Sequence, residues 1–426
     1  MKRAALYICY YNVTEPLVQT QVIAYVRELA KQDIVMHLLT FERERHSVEK
    51  QRAIREAMAE QGISWHALRY HQHPSLLATL YDIAIGTLTA MRICRKHDIH
   101  LIHARSHVPA AMALMLKRLL GCRFLFDLRG LLAEEYVDAG HWREGDIKFR
   151  LTKRMERVFF RKADAFVMLT HRIKQELTGS EPALQKRAAD IQVIPCCVDI
   201  ERFSIDPQRR TAYRQDRGWT ERRVLTYVGK LGAWYLTDEM ARFFAMARHK
   251  DPRFFFQVLT QSDPVPMQQA LQSASVRSED YDIRLAPPDE LPSILAASDV
   301  GISFISDCYS KRASSPTKVG EYLAAGVPVV SNSGTGDCDQ MLGENRVGVI
   351  IPEHSESEYR RAAENLTRLL NDDSIVLRCR EVAERELSLS KVGGPRYITV
   401  YERLLGVPIS TGASRAAEGT WLENDS

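Results

Sequence analysis

The chain has 426 residues, 45% of them hydrophobic and 26% charged, the proportions of a soluble globular protein with room for two or three domains and two cores. No run approaches eighteen uninterrupted apolar residues, which excludes a membrane-spanning protein. The net charge of +4 hides an imbalance: residues 1–200 hold 30 Lys and Arg against 22 Asp and Glu, and residues 201–426 hold 28 against 32, so the first half is the basic half.

The opening MKRAALYICYYN has two basic residues and a short apolar run, which mimics a signal peptide. No small-residue cleavage site follows, so the run reads as a first buried strand. Short apolar strands then alternate with helix-length amphipathic segments, near residues 4–9, 34–41, 100–104, 123–128, 165–169 and 191–195. The segment 196–210 interrupts the alternation as a linker. The pattern restarts with strands near 224–229, 254–259, 299–305, 327–331 and 347–351. Such alternation predicts an α/β protein with two Rossmann-like, doubly wound parallel-sheet domains facing a cleft. The expected boundaries are 1–198, 199–392, a closing helix over 393–408 and a flexible tail over 409–426. No G-x-G-x-x-G follows the first strand of either half, and no Walker-type loop occurs, which disfavours dinucleotide and P-loop chemistry. The eight cysteines form no C-x-x-C pair and no metal-ligand spacing, and read as reduced thiols in a cytoplasmic protein.

The stretch SSPTKVGEYLAAGVPVV (314–330) carries the chemistry. Ser315 is a good N-cap, Pro316 suits a first helical position, and Gly326 with Pro328 ends the helix. The N-terminus of such a helix favours anions, and Lys318 adds a full positive charge in the first turn. Glu321 lies on the same face, three residues on, where a carboxylate accepts hydrogen bonds from a diol. A cation for phosphate and a carboxylate for ribose hydroxyls suit a nucleotide. The alternative is an ion pair on a solvated helix face.

This stretch resembles the nucleotide-sugar motif of the two-domain GT-B glycosyltransferases, in particular the retaining family-four group. Three further stretches resemble that family in the same order: LYICYYNVTEPLVQTQV (6–22), the interdomain VIPCCVDIERF (193–203), and YVGKLGAWYLTDEM (227–240). The ending YITVYERLLG (397–406) resembles the helix that crosses back to the first domain. The resemblance implies an acceptor domain first and a donor domain second. It implies a metal-independent hexosyltransferase that moves a sugar, with retention, from a UDP- or GDP-linked donor to a sugar or lipid-linked acceptor. Bacterial-type polysaccharide or glycolipid assembly at the cytoplasmic membrane face is the implied setting. The implied donor-binding residues are Gly229, Lys230, Ser315, Pro316, Thr317, Lys318 and Glu321; Gln19, Thr20, Gln21, Arg105, Arg129 and Glu134 fall on the acceptor side. Lys230, Lys318, Arg129 and His107 are the candidate catalytic groups. No cofactor beyond the nucleotide-sugar substrate and no metal is expected. Two positions depart from the family pattern: Ala313 replaces a sugar-contacting Glu, and Tyr235 replaces a second basic residue.

Other constellations are less specific. His103 reads as a buried histidine satisfying the backbone. DCD (337–339) looks like a metal-binding Asp-x-Asp but comes late, in a loop that starts a helix, so no metal follows from it. KFRLTKRMERVFFRK (148–162) places Arg150, Lys153, Arg154, Arg157 and Arg161 on one helical stripe. That stripe is either a solvated face or a dock for an anionic bilayer; nucleic acid is not expected, because no aromatic platform accompanies it. Two rival functions are a nucleotide-sugar epimerase on the same fold and a non-catalytic, degenerate transferase acting as a partner subunit.

Overall fold

The computed structural model describes residues 3–406 except 45 and 204. The expected tail over 409–426 and the last residues of the closing segment lie outside the described residues. In the first domain seven strands run in parallel: β1 (Arg3–Cys9), β2 (Ile34–Glu42), β3 (Ile63–Arg69), β4 (Leu101–Arg105), β5 (Arg123–Leu128), β6 (Ala165–Met168) and β7 (Ile191–Val193), in the order β3-β2-β1-β4-β5-β6-β7. A second parallel sheet holds β8 (Arg223–Val228), β9 (Phe254–Leu259), β10 (Tyr281–Arg284), β11 (Val300–Ser303), β12 (Val329–Asn332) and β13 (Gly348–Ile351), ordered β10-β9-β8-β11-β12-β13. Strand order reverses between β1 and β4, and again between β8 and β11. Those switch points open crevices beyond the carboxyl ends of the strands, and the two crevices face each other.

The inner strands are largely apolar runs because helices cover both faces. Phe124, Phe126 and Phe166 from the sheet meet Phe159 and Phe160 on one side of the first domain. On the other side the closing helix Gly394–Leu405 enters the core with Tyr397 and Tyr401. The Tyr397 hydroxyl donates to Asp127 Oδ2 at 3.1 Å, and the Tyr401 hydroxyl lies 2.9 Å from His103 Nδ1. The outgoing and returning crossovers run side by side: the Val198 N–H donates to Leu387 O at 2.8 Å and the Leu389 N–H to Val198 O at 2.9 Å.

Two strands, β3 and β10, were not expected from the sequence, and both sit at the edge of their sheet. An edge strand faces water along one side, so its sequence mixes polar with apolar residues: ISWHALR and YDIR are half-exposed where the inner strands are buried.

Candidate active-site cleft

Loops after β1, β4 and β5 face the loop after β8 and the segment 309–317 across a cavity of about 300 Å³. Tyr11, Arg105, Arg129 and Glu135 line it from the first domain; Trp234, Tyr235, Lys311 and Ser315 to Thr317 line it from the second.

The helix after the cavity spans Thr317–Ala324, with Pro316 at the N-cap position and no side-chain cap. Ser315 therefore does not cap it. Its hydroxyl accepts from the Cys196 N–H at 3.0 Å instead, joining the helix entry to the interdomain linker. Gly326, at φ +76°, ends the helix, and the Val327 N–H closes back on Tyr322 O at 2.9 Å.

Lys318 is 8% exposed, which removes the solvated-face reading of its pairing with Glu321. Its Nζ has no hydrogen-bond partner and lies over two rings, 4.1 Å from the Tyr227 centroid and 4.4 Å from that of Tyr235. Gly229, at φ +143°, makes room for it: a Cβ there would stand 2.8 Å from Nζ. Burial pushes the Lys318 ammonium down to about 7 against the pull of Glu321, and burial also raises the Glu321 carboxyl. Lys230, in the same loop, is exposed, and its carbonyl accepts from the Tyr227 hydroxyl.

On the facing wall, two guanidiniums share one carboxylate. Asp127 Oδ1 is 3.7 Å from Arg129 Nη1 and Oδ2 is 3.8 Å from Arg105 Nη1. Burial opposes the Asp127 charge, but Arg129, the His103 hydrogen bond and Arg105 hold its carboxyl down to about 2. Gln21 ties this group to the linker: its Oε1 accepts from Arg129 at 3.2 Å, its carbonyl from Arg105 at 3.3 Å, and its amide donates to Cys197 O at 2.9 Å.

Other expected residues lie elsewhere. His107 is buried against the Phe126 and Phe159 rings, with Nε2 2.9 Å from Glu156 Oε2, because a carboxylate buried in that helix needs a partner. Glu134 turns away from the cavity to Lys153 at 2.7 Å, and Glu135 takes the wall position. Gln19 donates to Val13 O at 2.7 Å and Thr20 to Pro16 O at 3.0 Å, both beside the cavity and not in it. Lys153 also leaves the basic stripe: it is drawn inward by Glu134 and Glu156, while Arg150, Arg154, Arg157 and Arg161 remain exposed. The DCD carboxylates diverge. Asp337 accepts from the His171 and Arg172 N–H groups at 2.6 and 3.0 Å, and Asp339 from Gly334 N–H at 3.0 Å.

Sequence reasoning assigned no role to Lys311, Trp234 or Asp127. Lys311 Nζ lies 3.7 Å over the Trp234 ring and 3.4 Å from Glu135 Oε1, so a cation stands in the cavity wall two residues before Ala313. A Lys-Arg pair directly before an expected acidic position was the available signal. For Asp127 it was a carboxylate ending the apolar strand RFLFDL.

The whole architecture matches solved structures. A glycosyltransferase from Rickettsia africae superposes with a TM-score of 0.69 at 14% identity, covering 95% of this chain and 99% of that one. Anabaena HepE, solved in complex with UDP and glucose, gives 0.67 at 13%, covering 95% and 98%. WaaG, a glycosyltransferase involved in lipopolysaccharide biosynthesis, gives 0.65 at 14%, covering 94% and 100%. These likenesses define the class: the chain has the GT-B fold of the glycosyltransferases. Residues 18–202 match the model of Glycosyltransferase Family 4, so the first domain carries the pattern of that family. No curated protein matches by sequence.

Proposed function

We propose that the protein is a retaining glycosyltransferase that moves a hexose from a nucleoside-diphosphate sugar to an acceptor hydroxyl. The observation that carries this reading is the Lys318–Glu321 turn, which sets a buried, unpaired ammonium beside a carboxyl; neither lines the cavity, but Lys318 follows Thr317 of its wall and lies behind the ring of Tyr235, which does. Glu321 holds the ribose hydroxyls. Lys230, Lys318 and the first turn of the Thr317–Ala324 helix stabilise the departing diphosphate. The bond from the anomeric carbon to the phosphate oxygen breaks as the bond to the acceptor oxygen forms on the same face. The departing phosphate takes the acceptor proton, so no protein nucleophile is used. HepE binds UDP and glucose, which supports a UDP-linked donor; a GDP-linked one meets the same demands of the site.

The cytoplasmic setting, the lipid-linked acceptor and the docking of the exposed Arg150, Arg154, Arg157 and Arg161 stripe on an anionic membrane face belong to the same reading. Nothing in the cavity wall favours the epimerase, whose paired acid and base have no counterpart there: Glu135, its carboxylate, is engaged by Lys311. The degenerate-transferase reading is favoured by Tyr235 covering Lys318, and it predicts nucleotide binding without turnover.

Calorimetry with UDP and GDP on the wild type and on Glu321→Ala tests the site. The variant loses at least about tenfold in affinity, the effect of a charged hydrogen bond of about 1.5–3 kcal/mol; unchanged affinity in a folded variant removes Glu321 from the site. Turnover of the nucleotide sugar is expected to persist in EDTA, because protein cations neutralise the diphosphate. Activity lost in EDTA and restored by manganese would overturn the metal-independent mechanism.

A further inference from the structure

The helix Ser75–His97 on the outer face of the first domain has its side chains distributed the wrong way round for a helix facing water. What it buries along most of its length is small or polar: Ala78, Asp82, Gly86, Thr87 and Ala90. Gly86 allows close contact with the neighbouring helix His107–Leu120, since a Cβ there would stand 2.7 Å from Met112 Sδ. What it exposes is large and apolar. Leu77, Tyr81 and Leu88 form a stripe at 65%, 53% and 45% exposure, with Leu76 and Leu80 beside it. The neighbouring helix extends this face through Met115 and Leu119, at 44% and 62%. The two patches are continuous, because Thr87 Oγ1 lies 3.8 Å from Met115 Sδ. Single exposed leucines are ordinary on a protein surface; a contiguous face of them across two helices marks a binding surface.

Charge identifies the occupant. The apolar stripe runs on into exposed Arg92, Arg95 and Lys96, and Arg118 is exposed near the end of the neighbouring helix. The two helices hold a single acidic residue between them, Asp82, and it is buried against the Tyr10 hydroxyl at 2.6 Å and His71 Nδ1 at 2.6 Å. No carboxylate therefore faces outward from either helix. An apolar stripe bordered by bases matches the boundary between acyl chains and anionic headgroups. By length and hydropathy Ser75–His97 is apolar enough to cross a bilayer, yet it forms one layer of a folded domain and contributes Ala90, Ile93 and Cys94 to that domain's core.

We propose that this face lies on an anionic lipid bilayer, with Leu76, Leu77, Leu80 and Tyr81 inserted and Arg92, Arg95 and Lys96 among the phosphates. This extends the docking reading of the arginine stripe by supplying its apolar component. The helix Ile147–Lys162 packs on the far side of His107–Leu120 and adds exposed Ile147 and Leu151 to the surface. The Asp82 bonds to Tyr10 and His71 also fix the start of Ser75–His97 beside the end of β1, so the docked protein holds the mouth of its cleft at the lipid surface.

The test is co-sedimentation of the full chain with vesicles of phosphatidylcholine alone or mixed with phosphatidylglycerol, at low and high salt. The wild type is expected to bind the mixed vesicles, less as salt rises, and the neutral ones weakly. Leu77→Gln combined with Leu80→Gln is expected to lower partitioning at least about tenfold. Arg92→Glu combined with Arg95→Glu is expected to remove the preference for phosphatidylglycerol. Both variants alter exposed side chains, and UDP affinity by calorimetry should stay at the wild-type value. A wild type that also fails to bind UDP or GDP indicts the transferase reading and leaves the docking result standing. The proposal is overturned if the wild type ignores mixed vesicles at low salt, or if the leucine variant partitions like wild type. It is equally overturned if sedimentation velocity shows a dimer that the leucine variant dissociates while vesicle binding is unchanged, for the face is then an interface between two copies.

Discussion

Lys318 is a cation held out of water without a hydrogen-bond acceptor, between the faces of Tyr227 and Tyr235. Its ammonium falls from 10.5 to about 7 through burial. A base whose folded value lies below its unfolded value destabilises the fold. The penalty is full below pH 7, shrinks as pH rises, and vanishes above 10.5. Lys318→Met is therefore expected to stabilise the free protein near neutral pH by up to about 5 kcal/mol, with the gain fading toward pH 10. Nucleotide diphosphate affinity should fall in the same variant. Thermal melts across that pH range together with calorimetry check both halves. A variant that is less stable than wild type at pH 7 would show that the two ring faces outweigh the loss of hydration.

At the scale of elements, β2, β3 and the end of the Ser75–His97 helix bring three histidines together. His37 Nδ1 is 3.1 Å from His66 Nε2, and the His37 ring centroid is 4.4 Å from that of His97. Burial, then His97 and His66, lower His37 from 6.5 to about 4. It stays neutral in the fold while the unfolded chain takes up a proton below pH 6.5. Stability attributable to this group is thus intact above pH 6.5 and is lost as pH falls toward 4, by up to about 3 kcal/mol. His37→Gln should flatten the decline in melting temperature between pH 7 and pH 4.5. An unchanged slope would place the acid sensitivity elsewhere. This cluster could not be read from the sequence: its members are 29 and 31 residues apart, and one of them sits on an edge strand that the sequence did not reveal.

Across the whole molecule, the two domains are joined by polar contacts as well as by the two crossovers. Asp337 of the second domain caps the helix His171–Ser180 of the first through two backbone N–H groups. Thr170 donates to Arg312 O at 2.8 Å, and Arg312 pairs with Glu176 at 3.2 Å. These bonds hold the cavity walls in register, because Arg312 stands just before the wall segment that carries Ser315 and Thr170 ties it to the first domain. Asp337→Ala should cost about 1 kcal/mol, the loss of a helix cap. It should also enlarge the radius of gyration in solution scattering as the domains separate more freely. A variant with wild-type scattering would make Asp337 a local cap only.

The hydrophobic pattern determined the inner strands and the restart after the linker, because a strand buried on both faces is largely apolar; the closing helix was legible through its resemblance to the family's returning helix. The helix after Pro316 was legible for a similar reason: Pro and Gly impose its ends through backbone geometry that no tertiary contact alters. Of the edge strands, β7 and β13 were legible as short apolar runs, whereas β3 and β10 were not, since their half-exposed positions mix polar with apolar residues. Nor could the sequence say which way a side chain turns. Ser315 meets Cys196 instead of capping its helix, and His107 meets Glu156 instead of the cleft. Lys153 leaves its stripe, and Lys311 enters the cavity beside Trp234. The partners of Ser315, His107 and Lys311 lie far away in the chain, and Lys153 turns to Glu134 on a neighbouring helix as well as to Glu156 on its own, so only the packed structure brings each group to its partner.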